Sequence, residues 1–260
     1  MKLGVCTDPG HIEAAAQAGF DYVECGLSDL AGMTEEAYGA LLRQADRFPV
    51  PLSKCNCLLP GNVRVTGPEV DKAQLRAYLD RAFDRAAKLG IRLAVFGSGG
   101  ARNVPEGFAF GAAWRQIAEF LQLAGEYGVA YGIDVAIEPL RRHECNILNY
   151  VSEGTAMAAL VNHPHVGVLG DTFHMLVGHE PWEALSQAGG LLKHVHISRC
   201  LPDKSGRVYP AAHDGADYES VMQVLQAMGY AGDVSVEAST ADLLADGVLA
   251  VERLKKAMAL

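Results

Sequence analysis

A single (β/α)₈ barrel of the α/β class is the fold this sequence predicts, on three observations. Short apolar runs alternate with longer stretches of helical periodicity along all 260 residues. The alternation recurs eight times, and eight strand–helix repeats in about 250 residues match a closed barrel better than an open doubly wound sheet. The stretch after the first strand, Gly4 to Gly10, lacks the Gly-x-Gly-x-x-Gly spacing of an open dinucleotide-binding sheet. No Pro/Ser-rich linker or low-complexity tract divides the chain, so residues 1–260 are expected to form one domain.

The elements follow in order. Lys2–Cys6 opens as a strand and His11–Ala18 as its helix, with Gly19 in the left-handed cap position. Tyr22–Cys25 pairs with a helix over Thr34–Phe48, and Leu52–Cys57 with one over Glu69–Leu89, ended by Gly90. Leu93–Phe96 leads to Phe110–Tyr127, for which Gly128 supplies the expected cap. The second half reads as strands at Gly132–Glu138, Val166–Leu169, His194–Ser198 and Asp233–Glu237. Their helices are Ser152–Val161, Pro181–Ala188, Asp217–Met228 and Ala241–Ala257.

Half the residues are apolar, enough for a sizeable core and against a disordered chain. Lys and Arg number 22 against 31 Asp and Glu, a net charge of −9. Affinity for nucleic acid comes from clustered cations, so nucleic acid is not an expected partner. No window approaches the roughly 18 consecutive apolar residues of a membrane span, and the N-terminus lacks a signal peptide's basic and apolar stretches. A cytoplasmic protein is expected. The six cysteines are scattered, and Cys55-Asn56-Cys57 has one intervening residue where a zinc knuckle has two, so a structural role is expected for both.

In such a barrel the chemistry sits at the C-terminal ends of the strands. Four strand ends in the second half finish in a potential metal ligand: Glu138, Asp171, His196 and Glu237. Three carboxylates and one imidazole would converge above the barrel axis as a hard, mostly oxygen site. That suits a divalent ion, Mn²⁺ first with Mg²⁺ or Co²⁺ as alternatives, better than a thiolate zinc site. Any one of these carboxylates alone could be a helix cap or an ion-pair partner. Four in consecutive strands point to a shared ion, because uncompensated buried charges are costly.

The segments Ile137-Glu138-Pro139-Leu140, Gly170-Asp171-Thr172-Phe173-His174-Met175, His194-Val195-His196-Ile197-Ser198 and Val236-Glu237 resemble the D-tagatose/D-psicose 3-epimerases, within the xylose-isomerase-like superfamily of sugar isomerases and epimerases. The resemblance covers the whole chain loosely and the second half closely. It implies a metal held by Glu138, Asp171, His196 and Glu237, with the two glutamates exchanging a proton on opposite faces of a substrate carbon next to a carbonyl. It also implies that Glu144, His174 and an arginine after the histidine ligand hold the sugar. Arg207 is the preferred match for that arginine and Arg199 its competitor. The small-molecule sugar partner and a homo-oligomeric state, dimer or tetramer, are carried by the same resemblance.

Three features depart from the pattern or compete with it. Phe96-Gly97-Ser98-Gly99-Gly100-Ala101-Arg102 could cradle an anionic group of the substrate with its N–H groups and Arg102, or be a flexible loop without a ligand. His194 is expected to point to the opposite side of its strand or layer from His196 and is left out of the metal set. Glu24 either faces the pocket or is an interior carboxylate paired with a basic residue. The expected activity is a metal-dependent sugar epimerase or isomerase. A dehydratase acting on an inosose-like ketone would begin with the same proton abstraction. A zinc phosphodiesterase of the endonuclease IV type would want more histidine ligands and a basic surface. A non-catalytic sugar-binding protein would be expected to lack one of the four ligands.

Overall fold

A computed structural model describes residues 1–259. Eight parallel strands close into a ring: β1 (Leu3–Cys6), β2 (Tyr22–Gly26), β3 (Leu52–Asn56), β4 (Leu93–Phe96), β5 (Asp134–Ile137), β6 (Val166–Asp171), β7 (Leu192–Ile197) and, after a hairpin, β10 (Val234–Val236), which closes on β1. The predicted barrel is therefore the observed one. The hairpin, β8 (Arg199–Cys200) with β9 (Arg207–Val208), is antiparallel and stands apart from the ring. Outside lie α1 (Ile12–Ala18), α2 (Leu27–Gly32), α3 (Glu35–Ala45), α4 (Lys72–Lys88), α5 (Gly99–Arg102), α6 (Phe110–Tyr131), α7 (Val151–Val161), α8 (Thr172–Val177), α9 (Glu183–Ala188), α10 (Tyr218–Ala227) and α11 (Leu243–Met258).

Each predicted helix is present with its ends moved by a few residues. Thr34, Asp71, Asp217 and Asp242 lie one residue outside their helices because each side chain accepts a backbone N–H of the first turn. The expected cap at Gly128 is wrong: α6 runs on to Tyr131, and Gly132, with φ of 68°, takes the left-handed position. Gly128 instead lies buried inside the helix, where an added Cβ would sit 2.6 Å from the Ile133 carbonyl oxygen and 2.8 Å from His165 Cβ. Three short helices at strand ends, α2, α5 and α8, and the hairpin have no counterpart among the predicted elements.

The main core fills the space between ring and helices, from Leu3 and Val5 through Phe83 and Phe120 to Leu254. Inside the ring the filling is divided. Leu93, Val95, Ala136 and Leu169 form an apolar cluster on the side of β4 to β6. On the side of β1, β2, β7 and β10 the interior is polar: Tyr22, Glu24, His194 and Ser235 are all nearly or fully buried. No helix among the described residues is long and apolar enough to cross a membrane.

Candidate functional site

Strand residues two apart point to the same face, and this alternation delivers the four predicted ligands to one place. Glu138 follows Asp134 and Ala136 on the inward face of β5, Asp171 follows Leu169 on β6, His196 follows His194 on β7, and Glu237 follows Ser235 on β10. One ligand atom from each lies within 4.8 Å of those of the other three. His196 Nδ1 is 2.7 Å from Glu237 Oε2, 3.3 Å from Glu138 Oε1 and 3.8 Å from Asp171 Oδ2. Glu138, Asp171 and His196 are buried, and Glu237 is the most open of the four.

The orientation of His196 comes from Glu24, whose role the sequence left open between two readings. His196 Nε2 lies 2.9 Å from Glu24 Oε1. With Nε2 turned to that carboxylate, Nδ1 is the nitrogen that faces the other three acids, the arrangement by which an outer carboxylate orients a metal-binding imidazole. Glu24 is fixed in turn: its Oε2 accepts from Ser235 Oγ at 2.6 Å and lies 2.9 Å from His194 Nε2. Tyr22 Oη completes the chain, 2.8 Å from Ser235 Oγ. Glu24 is thus the interior carboxylate with basic partners. His194, expected on the other side, faces the interior as well because it is two residues from His196; it sits one layer deeper, with ring centroids 5.1 Å apart, and stays outside the ligand set.

The site's charges set the protonation of its groups. Burial and then the charge of Glu237 push the Glu138 carboxyl above its ordinary value. Burial pushes Glu237 the same way, but His196 and Arg207 outweigh it and hold this carboxyl below its ordinary value. Burial alone would strip His196 of its proton; Glu237 and Glu24 overcome it and raise the imidazole well above the usual range. Three acids and one imidazole nitrogen facing each other at this range are the donor set of a divalent cation, and hard oxygen donors suit Mn²⁺ or Mg²⁺. The residues present therefore fit a metal ion.

The predicted substrate residues divide. Arg207 reaches the four: Nη1 donates to Asp171 Oδ2 at 2.6 Å, and Nη2 lies 3.1 Å from Glu237 Oε2, an ion contact without hydrogen-bond geometry. Its competitor Arg199 stands opposite Val208 in the hairpin, beside Tyr218. His174 is buried; its Nδ1 accepts the Arg141 backbone N–H at 3.2 Å, so Nε2 carries the proton. That Nε2 is buried without a protein acceptor, in the field of Glu138. Glu144 is not brought to the cluster: it is exposed, and its Oε1 accepts from Arg141 Nε at 2.6 Å.

The glycine-rich stretch after β4 is neither an anion cradle nor a flexible loop. Residues Gly99–Arg102 form the short helix α5, and Arg102 is fully buried, donating to the carbonyl oxygens of Phe96 at 2.5 Å and Glu138 at 2.6 Å. Its charge is spent on the backbone that carries Glu138. The glycines do allow a close approach, but by this chain: a Cβ on Gly97 would collide with Glu138 Oε2, and one on Gly99 would lie 2.7 Å from the Glu144 carbonyl oxygen. Cys55 is buried against Cys25, Sγ to Sγ 3.7 Å, and Cys57 is exposed; neither falls in a possible metal cluster among the described residues.

A cavity of about 330 Å³ opens over this end of the barrel, with Glu24, Glu237, Arg207, Asn56, Asp8 and Asp29 among its walls. That volume is near the lower end of ligand pockets, roughly 300–1,000 Å³, and fits a small polar molecule. The polar chain behind His196 escaped the sequence reading because single polar residues within apolar strands look like core. The signal for it was Tyr22-x-Glu24, a buried acid two residues from a tyrosine on an inward face.

A model of the xylose isomerase-like TIM barrel family matches residues 12–258 of this chain. A D-psicose 3-epimerase of Ruminiclostridium cellulolyticum is 26% identical over 235 residues, covering 87% of this chain and 76% of the relative. A ketose 3-epimerase of Arthrobacter globiformis is 26% identical over 238 residues, covering 90% and 78%. Among solved structures, a D-allulose 3-epimerase from Methylomonas superposes with a TM-score of 0.85 at 22% identity, over 98% of this chain and 96% of that one.

Proposed function

The chain belongs to the xylose isomerase-like TIM barrel family, and on that premise we propose that it is a divalent-metal-dependent sugar epimerase, with Mn²⁺ as the ion and the reacting carbon next to a carbonyl. The observation that carries this reading is the placement of Glu138 and Glu237. Their strands, β5 and β10, are separated by β6 and β7 in the ring, so the two carboxylates approach from different directions while both stand within 3.3 Å of His196 Nδ1. The sugar epimerases named among its relatives support the same class.

A C–H bond beside a carbonyl is a weak acid, and inversion requires removing its proton on one face and returning one on the other. An ion held by Glu138, Asp171, His196 and Glu237 would polarise the carbonyl and stabilise the charge that develops on its oxygen. Glu237, held ionised, takes the proton from carbon; the C–H electron pair moves into the new C=C bond, and the carbonyl electrons move to oxygen, giving an enediolate. Glu138, on the other side of the substrate carbon, returns a proton to the opposite face, and the same pair works in reverse in the other direction. His174 Nε2–H points a donor at a substrate hydroxyl, and Arg207 holds Asp171 and Glu237 in place while its exposed edge faces the cavity.

The test is hydrogen exchange. With Mn²⁺ restored in D₂O, a panel of ketoses followed by NMR is expected to show deuterium entering at one carbon beside the carbonyl. Glu237→Gln and Glu138→Gln are each expected to slow that entry by roughly 10²–10⁴-fold, the usual worth of a positioned acid or base. A product lighter by one water would replace the epimerase with a dehydratase. Unchanged exchange in both variants would remove the two glutamates from the chemistry.

A further inference from the structure

Beside the metal-ligand cluster, a second cavity of about 590 Å³ is walled by Arg141, Arg142, His143, His179 and Lys204, together with neutral residues such as Tyr150 and Ser205. No carboxylate is among its walls as the described residues form them. In a chain with nine more acids than bases, a pocket that gathers three permanent cations and two imidazoles is a local reversal of sign. We propose that this pocket receives an anionic group, a phosphate ester or a carboxylate, at the end of the sugar remote from the reacting carbon. The proposal rests on the epimerase reading and names its substrate class.

Three features connect the pocket to the chemistry. The Arg141 backbone N–H holds His174 Nδ1, so the residue that lines the pocket also aims the unpaired donor at the substrate. The guanidinium carbons of Arg141 and Arg207 lie 4.7 and 5.3 Å from the centroid of the same Phe173 ring. One cation therefore stands at the metal ligands and the other in the pocket, separated by no more than those two distances together. The hairpin tip adds the third feature: Lys204, in the left-handed region at φ of 58°, turns its Nζ to 3.1 Å from His179 Nε2.

The cations are also held ready. Arg141 is braced by Glu144 and by the Lys204 carbonyl oxygen at 3.0 Å, and Arg142 lies 5.6 Å over the Tyr150 ring. Arginine forks match both phosphate and carboxylate, and charge-assisted hydrogen bonds are about twice as strong as neutral ones. On the other side of the site the cavity wall carries four carboxylates, Asp8, Glu24, Asp29 and Glu237, against one cation, Arg207. The two flanks thus favour one orientation: hydroxyls toward the acids, anion toward the basic pocket. Arg102, for which an anion contact was one of two readings, is buried on backbone carbonyls and leaves that role to these residues.

Two measurements test this. The first is the Mn²⁺-loaded enzyme with D-fructose, its 6-phosphate and its 6-carboxylate, each followed by deuterium entry beside the carbonyl. One of the anionic sugars is expected to exceed the neutral one in kcat/KM by about tenfold or more, chiefly through KM, and which one does so identifies the anion. Arg142→Met with Lys204→Met is expected to shrink that ratio toward one. The second is calorimetric titration with inorganic phosphate, which the wild type is expected to bind and the double variant to lose, with unchanged circular dichroism because Arg142 is exposed and Lys204 only half-buried. Exchange of the neutral sugar equal to both anionic ones, with a ratio the variants do not move, would overturn the pocket and leave the epimerase standing. Phosphate binding lost in the variants, with no sugar exchanged at all, would uphold the pocket and overturn the epimerase.

Discussion

Glu24 contributes no atom to the ligand cluster, yet it decides which nitrogen of His196 faces the three acids. Glu24→Gln keeps the shape but weakens that hold, and metal affinity is expected to fall by about 10–100-fold, read by titrating the apo protein with Mn²⁺. Gly97 matters for the opposite reason, by having no side chain where Glu138 Oε2 lies. A second single-residue test concerns Asp233, which receives Lys54 Nζ at 2.7 Å. Burial opposes its ionisation, but the hydrogen bonds from Lys54 and the Lys2 N–H prevail and hold its carboxyl below its ordinary value. A depressed folded-state pKa stabilises fully above the unfolded value, about 3.9, and the benefit is lost as pH falls through the folded value. Asp233→Asn is therefore expected to cost about 1–2 kcal/mol at neutral pH and progressively less in acid, by urea unfolding across that range. The four candidate ligands were legible in the sequence because each stands at the end of a strand. Glu24 and Ser235 were not assigned, since nothing in one strand's sequence shows what a strand two places round the ring presents to it.

At the level of elements, the alternation of strand and helix could be read because periods of 2 and 3.6 differ so plainly. What escaped it were the shortest pieces. Helices α2, α5 and α8 have six residues or fewer, too few for a period to show, and the hairpin's paired segments have two residues each. The end of α6 was misplaced because Gly128 and Gly132 are spaced like alternative caps, and only packing tells them apart. Two alanine substitutions separate the roles by thermal unfolding. Gly132→Ala meets open space and pays only for its positive φ, an expected loss of roughly 1–2 kcal/mol. Gly128→Ala has an ordinary helical backbone but drives a methyl into Ile133 and His165, and is expected to cost about 1–3 kcal/mol by overpacking α6 against the strand that carries Glu138.

For the whole molecule, the cluster at the top of the barrel stores a repulsion that a divalent ion would relieve. Binding to the folded chain alone stabilises it by about 2.7 kcal/mol when free metal is a hundred times Kd. The melting temperature is accordingly expected to rise with Mn²⁺ and to fall on chelation, and Glu237→Gln is expected to flatten that dependence. A ring whose interior is apolar on one side and hydrogen-bonded on the other lets this happen without disturbing the core, since the polar chain from Tyr22 to His196 is already complete. The hairpin, finally, is the only strand pair outside the ring among the described residues. One short excursion of the chain carries both Arg207, against two ligands of the reaction centre, and Lys204, in the basic pocket. On the proposed reading the two are inherited together: exchanging residues 199–208 between relatives would alter the basic pocket and the arginine brace on Asp171 and Glu237 in one step.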